Sequence, residues 1–434
     1  MGLYGMKKLA AWPLFMCGFR PFFLAGSLLA CVLMAAWLLM LGGAWPTLSM
    51  WSPPGGVAIW HAYELVLGFG SAAVAGFLLT AVPEFTQTVP AAPRRLASLA
   101  VLWLLGRLAW LIAAWLPAPL DVLTIALPHL VFTASLLLLL LPSLGRDARA
   151  RRHFSFALAL MALLLVQLGF FADLLWRWND PLAWVRLAVG LMMVLIILAG
   201  SRISMNVVNR LVELGKPGVA EHDTVGYLAR PPRRNLAIFC ICLCSAVEFW
   251  RGYDLVTAWL ALAAAAAMLN LLNDWHVGRA LFYRWALILY ASYWLLALGY
   301  AAMGMSILGA PWLPSAGRHL LTVGAMGLSI FAVMNVAGRI HAGQWLDGSR
   351  WVPLAMVALV GAALLRFMAG GFGFARWSQE MMVAAGLLWI AGFAVYLGRN
   401  ARMLVVRRDD GQAGCSEPRG QEEGAGQPSA GHQH

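Results

Sequence analysis

From about residue 22 to residue 398 the chain repeats one pattern, an apolar run of roughly 18 to 22 residues followed by a short polar break. Each run is long enough to cross the hydrocarbon layer as an α-helix, and a helix satisfies its own backbone there. Twelve runs lie at roughly 22–44, 61–83, 98–116, 121–142, 154–175, 183–201, 235–252, 255–272, 285–306, 319–340, 351–369 and 379–398. The pattern predicts an all-α fold: a polytopic membrane protein with about twelve transmembrane helices in one bundle, spanning 22–400. Residues 1–21 form an N-terminal segment. A charged, Pro- and Gly-containing stretch at about 202–234 reads as a connector, and the polar, Gly-rich 401–434 as a disordered tail with little to bury.

Composition agrees: 62% of the 434 residues are hydrophobic, 12% are charged, and the mean hydropathy is +0.75. The charges fix an expected orientation. With the N-terminus inside, 24 of the 31 Lys and Arg fall in inner loops and tails, six fall on the outer side, and Arg107 lies within a span. Both termini are therefore expected in the cytoplasm. The net charge of +12 is spread over many loops rather than one stripe, so no nucleic-acid partner is expected. Lys7 and Lys8 precede an apolar stretch too long for a signal peptide, so the first span is expected to be retained. No phosphate-cradling loop or dinucleotide fingerprint is present, which argues against ATP coupling.

Polar residues inside spans are costly in lipid and carry the functional hypothesis. Of nine His, His432 and His434 lie in the tail, His222 in the connector and His153 beside an Arg cluster; none of these requires a role. His61 and His319 open the second and tenth spans at one depth. His129 lies about 12 Å deeper by helical rise, where it could line the same cavity. His341, about 33 Å along the helix from His319, falls at the opposite end with His276 as a second candidate cluster. Neutral imidazoles on facing helices suit iron or copper. Glu64, at i+3 from His61, shares its helix face and could orient an imidazole, ligate a metal or pass protons; its structural alternative is a pair with Arg20 or Arg318. The small residues Gly68, Gly70, Ser71 and Gly76 favour close helix packing or approach by a flat macrocycle. Cys240 and Cys244 share a face of the seventh span and are a weaker Cu(I) candidate. The few dispersed Cys do not suggest a disulfide framework.

The blocks "FMCGFRPFFLAGSLLA" (15–30), "WHAYELVLGFGSAAVAGFLLTAVPEF" (60–85), "GSRISMNVVNR" (200–210), "RRNLAIF" (233–239), "HLLTVGAMG" (319–327) and "RIHAGQWL" (339–346) resemble, in order, the NnrS family of bacterial twelve-helix membrane proteins. The resemblance implies a multi-pass protein of the bacterial inner membrane that carries haem and copper and is linked to nitric oxide metabolism and nitrosative stress. Carried over by residue, the family's "WHAHE" gives His61 and Glu64, its tenth-helix block gives His319, and its following "GH" gives His341. Tyr63 and Tyr290 stand where the family pattern has His, and Ser204, Val207 and Val208 stand where it has Pro, Phe and Thr.

Three functions compete. An enzyme reducing nitric oxide needs haem, protons from a group such as Glu64, and an electron donor, here unidentified. A haem-based sensor or buffer needs only an open coordination position, and a transporter of metal, haem or another small ligand would use the same residues transiently. The expected cofactor is haem b, held without covalent attachment because the chain has no Cys-x-x-Cys-His motif, with copper or a second haem or iron as a further candidate. His61 and His319 are the preferred ligands, His129 their competitor, and His341 with His276 the candidate second metal site.

Overall fold

The computed structural model describes residues 12–42, 51–214, 227–346, 348–412 and 414–415. The parts of the expected N-terminal segment, connector and tail at 1–11, 215–226 and 416–434 lie outside the described residues. Among the described residues twelve helices of 18 residues or more follow one another: α1 (Phe19–Leu41), α2 (Val57–Thr86), α3 (Pro93–Ala113), α4 (Leu120–Gly145), α5 (Ser155–Trp176), α6 (Pro181–Leu214), α7 (Pro231–Arg251), α8 (Leu255–Leu272), α9 (Arg284–Ile307), α10 (Pro314–His341), α11 (Trp351–Met368) and α12 (Ser378–Val405). Among the described residues the only β feature is an isolated bridge, Trp312 to Gly371. The protein is an all-α, multi-pass membrane protein. Proline sits in the first turn of α3, α7 and α10, where its missing N–H costs no hydrogen bond. Asp254 caps α8 by accepting from the Thr257 N–H at 2.8 Å.

Eleven of the twelve helices are long and apolar enough to span a membrane; α7 is long enough but carries Arg233, Arg234, Glu248 and Arg251. It is the most polar of the set. Glu248 is nevertheless buried, so α7 packs as part of the bundle. α6 continues to Leu214, beyond the expected end at 201, because Ile203, Val207 and Val208 remain buried and keep the helical face apolar. Asn209 then clamps the returning chain: its Oδ1 accepts from the Tyr227 N–H at 2.6 Å and its Nδ2 donates to the Tyr227 carbonyl. At the other end α12 runs to Val405, and a disulfide joins Cys415 to Cys17, a pairing that the sequence reading did not anticipate.

Two helices form the middle of the bundle. The most apolar window of α2 is 89% buried and that of α10 is 78%, against 28% for α1 and 33% for α11. Both central helices are interrupted by a π-helical stretch, Glu64–Phe69 in α2 and Leu320–Met326 in α10, each beginning within three residues of a histidine. Such stretches widen a turn by one residue and recur at functional sites. α10 is held against α9 by glycines. A Cβ on Gly317 would lie 2.5 Å from the Met303 backbone N and 2.9 Å from the Gly299 carbonyl O. Neither backbone atom can swing away. Gly317→Ala is therefore expected to force the two helices apart and to cost about 1–3 kcal/mol, read as a lower unfolding temperature of the purified protein in detergent.

Candidate functional site

The expected pairing of His61 with His319 corresponds to one cavity, of about 340 Å³, whose wall includes both side chains. α2, α6, α10 and α12 contribute residues from their early turns, while α1 and α11 contribute Trp37 and Arg366 from their late turns. The cavity thus opens near one end of an up-and-down bundle. Its volume falls in the range of cofactor and small-molecule sites, roughly 300–1,000 Å³. The His61 ring stacks on Trp37 with centroids 3.9 Å apart. On α10, His319 Nδ1 lies 2.7 Å from the Ser315 carbonyl. A carbonyl can only accept, so Nδ1 carries the proton and Nε2 keeps its lone pair. A metal-ligating imidazole is held in the same way.

Three arginines share the cavity wall: Arg186, Arg318 and Arg366. Arg318 is hydrogen-bonded to buried Glu248, whose Oε1 also lies 3.5 Å from Arg186 Nε, and Arg186 reaches Asp180 at 3.1 Å. Arg366 has no acidic partner among the described residues. A cation within a spanning helix is expensive unless an anion meets it. This wall therefore favours a ligand with carboxylate groups, which a guanidinium can take in bidentate fashion. An imidazole with a free lone pair, apolar walls and an unpaired guanidinium together fit haem, with its flat apolar ring and two carboxylates.

Glu64 does not face this cavity. Its Oε2 lies 2.6 Å from Arg107 Nε and its Oε1 lies 3.5 Å from His129 Nε2, while the carboxylate folds back over Gly68. His129 is not in the cavity either. Its Nδ1 donates to the Ile125 carbonyl at 2.7 Å, so Nε2 is the acceptor, and Arg107 Nη2 already donates to it. An imidazole whose lone pair is engaged in this way is a poor haem ligand. Spacing explains the difference from the sequence reading: three helical residues turn about 300°, so Glu64 points about 60° away from His61. In a helix buried on nearly all sides, that offset separates the cavity from the α3–α4 side. The alternative partners for Glu64 are also engaged elsewhere, Arg20 with the carbonyls of Pro13 and Val406 and Arg318 with Glu248. The missed signal was Arg107, a cation within a span that had to meet an anion.

His341 and His276 have separate surroundings. His341 Nε2 lies 3.4 Å from Glu84 Oε2, and its ring packs near Phe19. His276 is exposed and hydrogen-bonds the Asn273 carbonyl at 2.7 Å through Nδ1. Among the described residues no group of three or more His, Cys, Asp or Glu side chains is gathered as a metal cluster. Gly70 and Gly76 are filled by neighbouring side chains, Met326 and Met192 at the first and Phe23 at the second, which is the helix-packing reading. Cys244 is buried and Cys242 exposed, both as free thiols.

Fold and cavity define a class: multi-pass helical membrane proteins with two imidazoles and an unpaired arginine around one buried cofactor-sized space. The chain belongs to the NnrS protein family, whose model matches residues 13–408. That membership fits a membrane protein related to nitric oxide. No curated protein matches the chain.

Proposed function

We propose that the chain is a haem b protein of the bacterial inner membrane that acts on nitric oxide, removing it under nitrosative stress, with the cofactor in the cavity between α2 and α10. The observation that carries this reading is the His319 imidazole, which presents an unshared Nε2 to a cavity it shares with His61 and Arg366. His319 would hold the iron, His61 would lie beside the bound gas or yield its place to it, and Arg366, aided by Arg186 and Arg318, would receive the carboxylates. When bound, haem would supply an iron able to coordinate nitric oxide and to exchange electrons with an unidentified donor. Trp37 fixes the His61 ring, Ser315 fixes the His319 tautomer, and the apolar walls exclude water. Nitric oxide is small, neutral and lipid-soluble, so it can reach the cavity without a polar channel.

One observation counts against Glu64 as the proton donor of that reaction. Glu64, the carboxylate nearest His61 in sequence, is engaged by Arg107 on the far side of α2. Purified protein with a chemical reductant, free of oxygen, is expected to consume nitric oxide, and Glu64→Gln to retain that activity in whatever fraction of it folds. Stoichiometric haem with no consumption under several donors would overturn the reductase reading and leave a sensor or buffer. Absence of haem from freshly purified protein would overturn the cofactor assignment, leaving transport of a small ligand as the alternative.

A further inference from the structure

Past the arginine-lined cavity, the same central helices border a second and smaller space of about 70 Å³. They line the two spaces in the same order: α2 passes from His61 to Gly70, α6 from Val189 to Met192, and α10 from Thr322 to Ile330. Met326 borders both. The small chamber is therefore next in line along the bundle, one wall away from the imidazoles.

Two thioethers meet on this side of the chamber, Met326 bordering both spaces and Met192 the chamber alone. A Cβ on Gly70 would lie 2.9 Å from Met326 Cε and 3.1 Å from Met192 Cε, so both methyl groups converge where the backbone carries no side chain. Methionine has three rotatable bonds and adapts its shape at little cost. Elsewhere the chamber is bounded almost wholly by aliphatic and aromatic side chains. The Ser292 hydroxyl is engaged by the Ile288 carbonyl at 2.8 Å. The Tyr293 hydroxyl, beside Gly200, and the Ser329 hydroxyl are the other polar groups of the lining. Water needs two to four polar partners to occupy a cavity, whereas an apolar one stays dry and admits apolar guests such as xenon. At roughly 30 Å³ for each water-sized guest, the chamber has room for one or two diatomic molecules.

We propose that this chamber is a binding site for a small, neutral, apolar gas, which exchanges with the larger cavity past Met192 and Met326. Nitric oxide as the physiological guest rests on the function proposed above; the chamber's affinity for an apolar gas does not, since it needs no haem.

Xenon is the probe, and the full chain in lipid nanodiscs, labelled with ¹³C at the methionine methyls, is the sample. Rising xenon pressure is expected to shift the Met192 and Met326 methyl resonances saturably, while Met34, which lines only the larger cavity, stays in place. Ala73→Leu and Ser329→Leu fill the chamber from different walls, and either one, if folded, should abolish the shifts. In haem-loaded protein the same variants should slow nitric oxide association several-fold with haem content unchanged. A wild-type protein without saturable shifts, or a folded filled variant that keeps them, would overturn the proposal. Loss of haem without loss of the xenon shifts would count against the proposed function alone.

Discussion

Replacing His319 by Ala is expected to abolish haem retention, taking the purified protein from stoichiometric cofactor to almost none and removing its Soret band. The expectation rests on the Ser315 hydrogen bond, which leaves His319 Nε2 as an unprotonated nitrogen in the cavity wall. Alanine is a strong helix former, so α10 should persist and the loss should be local. His61→Ala should displace or remove the same band, since the Trp37 stack holds that ring at the other side of the space. Arg366→Gln should weaken haem retention while raising folded yield, because it removes an unpaired cation from a spanning helix. Wild-type spectra and haem content in the two histidine variants would refute the assignment.

A second large effect is expected from Glu64→Ala, through stability rather than through the cofactor. Glu64 is 1% exposed and faces Arg107 across 2.6 Å, with His129 completing the cluster. Removing the carboxylate leaves a buried guanidinium without its counter-charge, a change that typically costs about 3–5 kcal/mol. Thermal unfolding of detergent-purified protein should show a marked fall for Glu64→Ala and for Arg107→Ala. The double variant should be less destabilised than the two single losses added together, because each single change leaves the other charge stranded. Strict additivity would show that Glu64 and Arg107 are not energetically paired.

The all-α architecture was legible because lipid imposes length: an apolar run long enough to span is unambiguous even where caps and turns are not. The cavity histidines were legible for a related reason, since imidazoles at matching ends of two spans stand out against an apolar background. Their surroundings were not. Arg318 fell just before the predicted 319–340 run, yet α10 begins at Pro314 and takes it into the helix, while Arg186 and Arg366 fell inside their runs with nothing in the sequence to turn them toward His319. The partner of Glu64 was hidden because a position on a helix face is known only to within a residue's rotation. α7 also resists a count by apolar length, since burial of Glu248 against Arg318 lets a more polar helix pack with the others. The Cys17–Cys415 bond, across a sequence separation of 398, has no local signature at all.

The paired π-helical stretches of α2 and α10 give the bundle a distinctive sensitivity to chain length. Each stretch absorbs one residue more than an α-helical turn, so everything beyond it is set about 100° out of phase with an uninterrupted helix. A substitution within Glu64–Phe69 alters one side chain. Deletion of a single residue there would restore an ordinary helix and rotate all that follows, swinging Gly70 and its neighbours away from the two methionines or His61 away from the cavity. In these two helices, insertion or loss of a single codon is therefore a more consequential evolutionary step than most replacements, and relatives that differ in spacing after the histidine should differ in pocket architecture even where their residues agree.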